Sequence, residues 1–111
     1  MAMLLGIDIG TTGTKTLLID EHGNVAASAL RSYPLLTPEA GHAEQEPEEW
    51  VRAAFETVRE IMDTGAEPED IAAVGLSGQM HGLVPLDSVG GVLRPAILWC
   101  DQRTVAECEW I

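Results

Sequence analysis

Basic residues are scarce in this chain, with 6 Lys and Arg against 18 Asp and Glu for a formal net charge of −12. Such a balance argues against nucleic acid and against an anionic membrane surface, because nothing here neutralises phosphates over a broad face. An isolated cation such as Lys15 can still hold one small anion. Cysteine is nearly absent: Cys100 and Cys108 stand eight apart, and His22, His42 and His81 are scattered. A zinc centre needs four ligands at close spacing, so this set is poor material for one. Two cysteines also make a disulfide scaffold improbable, and free thiols in a reducing cytoplasm are expected. Apolar runs extend for only a few residues, no leader precedes Leu4, and no repeat or low-complexity tract appears; a cytoplasmic chain without a membrane span is expected. The acidic clusters Glu44–Glu49 and Glu67–Asp70 lack the alternating ligand spacing of a calcium loop and read as solvated helix starts.

What is present is 46% apolar residues over 111 positions, enough for one core and at most one domain. Met3–Ile9 reads as a strand apolar on both faces, hence central in a sheet. Thr14–Ile19 follows as its hairpin partner and Val25–Tyr33, across the turn Asp20–Asn24, as a third strand nearer an edge. Three strands on short turns make an antiparallel meander. Pro34–Glu46 is irregular. Pro47 suits a first helical position, with Glu48 and Glu49 in the first turn. Val51, Ala54, Phe55, Val58, Ile61 and Met62 then form a core-facing stripe, and Gly65 is a cap. Ile71–Ser77 is a short buried strand, Leu83–Leu86 and Val92–Leu93 flank the turn Asp87–Gly91, Ala96–Trp99 is another strand, and Asp101 caps a helix beginning near Gln102.

Two places carry chemistry. Leu5-Gly6-Ile7-Asp8-Ile9-Gly10-Thr11-Thr12-Gly13-Thr14-Lys15 sends one carboxylate along an interior strand into a Gly/Thr turn. A buried charge needs compensation, and a cation bound at Asp8 would supply it. Gly10 and Gly13 permit backbone angles that let amides converge on an anion, Thr11, Thr12 and Thr14 add hydroxyls, and Lys15 adds charge. Carboxylate plus amide cradle is the donor set of a magnesium–phosphate site. A hairpin carrying an incidental Asp fits the same letters. The second place is Gly78-Gln79-Met80-His81-Gly82 at a strand end, where ligands of open sheets commonly lie. Gln79 and His81 can bond hydroxyls, while Met80 and Trp99 offer an apolar wall for a polyol, with Asp101 and Arg103 as an acid/base pair. The spacing equally fits a turn histidine, Met80 and Trp99 in the core, and Asp101 as a mere cap.

Together, Gly6–Gly13, Gly75–Gly82, Leu93–Trp99 and Asp101-Gln102-Arg103-Thr104 resemble the amino-terminal part of FGGY carbohydrate kinases, in order and over essentially the whole chain, and within that family the xylulokinase branch. The first motif is shared with the wider sugar kinase, actin and heat-shock ATPase superfamily; Gln79-Met80-His81-Gly82 is much narrower. The resemblance implies an α/β, ribonuclease-H-like lobe, a mixed sheet with an antiparallel three-strand start and flanking helices, truncated. It implies ATP and Mg²⁺ as cofactors and D-xylulose as acceptor, with gluconate or another pentulose as alternative. Asp8 would stand near magnesium and phosphates, and Gly10, Thr11, Thr12, Gly13 and Lys15 in the first phosphate loop. Gln79, Met80 and His81 would bind the sugar, with Trp99 bordering it. Cys100 departs from the Asn common in xylulokinases. The family's general-base aspartate and adenosine-binding lobe would lie beyond residue 111, leaving the 111-residue piece inactive alone. Uncovered strand edges would favour self-association, so a homodimer is expected. A non-catalytic actin-like nucleotide-binding module is the competing class, although the Gln79–Gly82 motif has no role there.

Overall fold

A computed structural model describes residues 2–111. Alternating side chains in the first strand, β1 (Met3–Ile9), give it two unlike faces: Met3, Leu5 and Ile7 on one, Leu4, Gly6 and Asp8 on the other. β2 (Gly13–Asp20) returns antiparallel, with Asp8 opposite Lys15 and Ile9 opposite Thr14. Between β2 and β3 (Val25–Ser32), the Asp20 carboxylate accepts the N–H groups of His22 and Asn24, while Gly23 takes φ +85°. β3 pairs antiparallel with β2, completing the expected meander.

The stretch expected to be irregular contains β4 (Glu44–Gln45), which leads into α1 (Pro47–Met62). Pro47 does start α1, Glu48 and Glu49 occupy its first turn, and Gly65 sits beyond it at φ +99°. The buried stripe is rotated from the expected one: Pro47, Ala53, Thr57 and Ile61 are buried, whereas Val51 and Phe55 are 56% and 70% exposed. Small side chains at 53 and 57 let the helix settle close to the sheet. There the Thr57 and Thr16 hydroxyls share a buried hydrogen bond of 2.7 Å. Leu5, Leu18, Ala29 and Ile61 form the core centre, all on the α1 side.

After a 3₁₀ turn at Pro68–Asp70, β5 (Ile71–Gly78) pairs parallel with β1, giving the sheet order β3-β2-β1-β5. β1 is central as expected, but only one face is covered. The open face exposes Leu4, Leu30 and Asp8, and β5 is an exposed edge rather than a buried strand. β6 is limited to Ala96–Ile97, paired with β4. α2 (Val105–Trp110) starts after Thr104, and Asp101 does not cap it.

Candidate active site

Parallel pairing decides where the two motifs meet. β1 and β5 run side by side with Ile9 opposite Gly78, so the turns leaving them emerge at the same sheet end, the usual ligand end of parallel strands. The Gln79 N–H donates to the Ile9 carbonyl at 3.0 Å, tying the second turn to the first. Glycine at 78 is required by this approach, since a Cβ there would lie 2.8 Å from the Ile9 oxygen. An open cleft of about 470 Å³ results, with Asp8, Gly10 and Thr11 on one side and Gln79, Met80, His81 and Trp99 on the other. His81 holds φ +64°, the only positive φ of a non-glycine residue among the described residues. Such backbone is sparsely populated for side-chain-bearing residues and clusters at functional turns.

Asp8 is exposed rather than buried, because it points from the uncovered face. Its Oδ1 accepts the Ser77 hydroxyl at 2.7 Å, and no ion pair joins it to Lys15 across the strand pair. Compensation for desolvation is therefore not what the site demands of a ligand. Lys15 stands outside the 470 Å³ cleft, lining an adjoining depression of about 390 Å³ with Asp8 and Ser77.

The turn is shaped by close packing, not by unusual glycine angles. Neither Gly10 nor Gly13 has positive φ. A Cβ on Gly13 would lie 2.5 Å from the Arg31 carbonyl oxygen, and the Gly10 N–H donates to the Gly13 carbonyl at 3.0 Å. Tyr33, buried at the end of β3, donates its hydroxyl to the Gly10 carbonyl, and its own N–H reaches Thr12 O. Burial raises the Tyr33 pKa, keeping the phenol a donor. The Thr11 and Thr12 N–H groups meet no acceptor among the described residues, leaving two amides for an anion. Thr14 is withdrawn from this role: it is fully buried, and its hydroxyl donates to Tyr33 Oη at 3.4 Å.

A hydrogen-bonded chain joins the walls. Trp99 Nε1 donates to Thr11 Oγ1 at 3.2 Å, and Thr11 Oγ1 donates to Gln79 Oε1 at 3.2 Å. Gln79 Nε2 donates to Gln45 Oε1 at 3.1 Å, and Gln45 Nε2 reaches the Thr11 carbonyl. Trp99 is thus a fixed wall, not core. Gln45 and Ser77 join the site although neither is among the candidate residues of the sequence. A lone amide inside the acidic run Glu44-Gln45-Glu46 was the available signal for Gln45; for Ser77 there was none beyond its position in the strand.

Asp101 and Arg103, expected as an acid/base pair, are locked to each other. Asp101 Oδ2 accepts Arg103 Nη2 at 2.7 Å and the Ala43 N–H at 2.7 Å. The Arg103 guanidinium holds the Asp101 carboxyl well below the usual carboxylate range and is itself raised, so neither exchanges protons near neutrality. Glu44, expected to be solvated, has a side chain only 8% exposed and accepts Arg94 and Arg103. Those contacts, Arg103 first, lower its pKa despite burial. This cluster pins β4 to the segment carrying Trp99.

No three His, Cys, Asp or Glu side chains converge among the described residues. Asp8 is a single hard carboxylate whose metal shell would be completed by a ligand's own oxygens, which is the magnesium habit at phosphates. No described helix is long and apolar enough to cross a membrane.

A mixed sheet that opens with an antiparallel three-strand meander and takes a parallel strand beyond a crossover helix is the ribonuclease-H-like lobe of the actin and hexokinase class of ATPases. Residues 3–111 match the N-terminal domain of the FGGY family of carbohydrate kinases, and the chain belongs to this family. It is 44% identical over 109 residues to the xylulose kinase of Bacillus subtilis, covering 97% of this chain and 22% of that protein. The gluconokinase of the same organism is 41% identical over 102 residues, 91% of this chain and 20% of that one. The ligand-bound xylulose kinase of Lactobacillus acidophilus superposes with a TM-score of 0.90 at 32% identity, over 98% of this chain and 22% of that structure. The chain thus spans about a fifth of the length of the relatives it matches.

Proposed function

We propose that residues 1–111 form the phosphate- and acceptor-binding part of the first lobe of an ATP-dependent kinase that converts D-xylulose to D-xylulose 5-phosphate. The adenosine-binding lobe would come from further sequence of the kind its relatives possess. The observation that carries this reading is the single cleft bordered by Asp8 and the Gly10–Thr11 turn on one wall and Met80–His81 on the other. Gln79 and His81 bond acceptor hydroxyls, and Met80 and Trp99 pack against its carbons. The Thr11 and Thr12 amides face phosphate oxygens, helped by Gly10, Gly13 and the Lys15 charge. A magnesium ion held by Asp8 and the phosphates would neutralise charge developing on transfer. The acceptor oxygen bonds the γ-phosphorus as the bond to the β–γ bridging oxygen breaks, ADP leaves, and the hydroxyl proton passes to a base outside residues 1–111. Such chemistry is chiefly positioning and charge stabilisation between two lobes, so the 111-residue piece alone would be inactive. A cytoplasmic location and a homodimer accompany this reading.

Gluconate is the second acceptor reading, favoured by the 41% identity to a gluconokinase. Assay of the complete polypeptide carrying this sequence against D-xylulose, other pentuloses and gluconate tests both. D-xylulose should give the highest kcat/KM, and His81→Ala should change the acceptor profile. A profile unchanged by His81→Ala removes His81 from the pocket, and steady ADP formation from D-xylulose by the isolated 111-residue chain overturns the two-lobe requirement.

A further inference from the structure

Gln45 lies in neither motif and lines no part of the 470 Å³ cleft, yet its side chain is fully buried at the junction of both walls. Its amide orientation follows from its partners. Trp50 Nε1, which can only donate, lies 3.0 Å from one end, and the Thr11 carbonyl, which can only accept, faces the other. The oxygen therefore points to Trp50 and to Gln79 Nε2, and the nitrogen to Thr11. With Thr11 Oγ1 donating to Gln79 Oε1, the three residues close a ring: the phosphate-side turn, the acceptor-side turn and β4. The carrier of Gln45 cannot drift, because Glu44 beside it is gripped by Arg94 and Arg103 and Pro47 begins α1 two residues on.

We propose that Gln45 is a positioning residue that sets the phosphate turn and the acceptor turn relative to each other, so that one amide governs both substrate sites. This rests on the kinase reading above. Without the Gln45 amide, Gln79 Nε2 and the Thr11 carbonyl lose a shared partner, and the turns are left joined only by the Thr11 hydroxyl to Gln79 Oε1 and by the Gln79 N–H to the Ile9 carbonyl, a looser tie that lets one shift against the other. Displacements of an ångström between reacting groups are enough to cost about a hundredfold in rate.

The test is steady-state kinetics on the complete polypeptide with wild type, Gln45→Ala, Gln45→Glu, Gln79→Ala and the Gln45→Ala/Gln79→Ala pair. Gln45→Ala should raise KM for both D-xylulose and ATP and lower kcat/KM by about a hundredfold. Mere partial unfolding would reduce the active fraction and leave both KM values alone. Gln45→Glu keeps an acceptor for Trp50 and Gln79 but sets an oxygen against the Thr11 carbonyl, so the KM for ATP should rise more than that for the sugar. The combined loss in the pair should fall short of the product of the two single losses by at least about threefold, as residues in one network do. A folded Gln45→Ala enzyme with both KM values unmoved, or multiplicative losses in the pair, overturns this proposal while the kinase reading stands. Should Gln45→Ala fail to fold, the Gln45→Glu split decides alone, and an equal or absent rise overturns the proposal. A wild-type protein that phosphorylates none of the sugars overturns the kinase reading and this inference with it.

Discussion

The two faces of the sheet are built from the same strands and behave oppositely. On the α1 face, Leu5, Leu18, Ala29 and Ile61 are packed out of water, and even the polar Thr14, Thr16 and Thr57 are sealed in with partners. On the other face, Leu4, Leu30 and Lys15 meet solvent, and Asp8 stands among them with one hydrogen bond. A period of two lets neighbouring residues of β1 serve both ends: Ile7 packs against the core while Asp8 looks into the cleft. One face is therefore specified by packing and the other by charge, and substitutions on them should separate stability from activity.

The largest separation is expected at Asp8. Asp8→Asn keeps shape and the Ser77 contact but loses the charge that, in the proposed function, would hold magnesium against the phosphates. It should lower kcat of the complete enzyme by about 10²–10³-fold, the scale of losing one electrostatic partner of a transition state, with thermal stability nearly unchanged. Leu18→Ala should do the reverse, costing about 2–5 kcal/mol in denaturant unfolding with the KM values of the surviving enzyme retained. Thr57→Val should cost about 1–3 kcal/mol because it strands the Thr16 hydroxyl, and adding Thr16→Val should recover most of that loss. At His81 the two properties should part within one residue. His81→Gly should be more stable than His81→Ala by about 1 kcal/mol, since glycine accepts φ +64° freely, while both variants bind the acceptor poorly.

The smallest effect is electrostatic. Because Arg103 depresses the Asp101 pKa in the folded state, its contribution is complete above the ordinary carboxylate value of 3.8 and is lost as pH falls below that value. The gap in Tm between wild type and Asp101→Asn should therefore narrow as the medium is acidified from neutrality to about pH 3. A constant gap would mean that the ion pair does not stabilise the Trp99 segment.

Local signals carried most of the framework. The turn Asp20–Asn24 separates β2 from β3, Pro47 with two acids after it starts α1, and short apolar runs mark β1 and β5, all signals that neighbours in sequence determine. Burial was harder to read, because distant partners decide it. The expected stripe through Val51 and Phe55 yields to Ala53 and Thr57, since the helix–sheet gap favours small side chains, a fact held in β2 rather than in the helix. Glu44 reads as a solvated acid until Arg94 and Arg103, 50 and 59 residues onward, close around it. At the candidate site, the meeting of Asp8 with Met80 and His81 was legible through motif order, and the structure adds parallel pairing as its cause. The burial of Thr14, the displacement of Lys15 from the cleft and the junction at Gln45 depend on side-chain direction and non-local bonding, which no local pattern displays.

The central claim is that metal, phosphate and sugar share one cleft across the ends of β1 and β5. Nuclear relaxation of D-xylulose carbons by Mn²⁺ in place of Mg²⁺, with the complete polypeptide and a non-hydrolysable ATP analogue, measures that juxtaposition directly. The account predicts strong relaxation enhancement in wild type that is lost in Asp8→Asn; bound sugar whose carbons do not respond to the metal would contradict it.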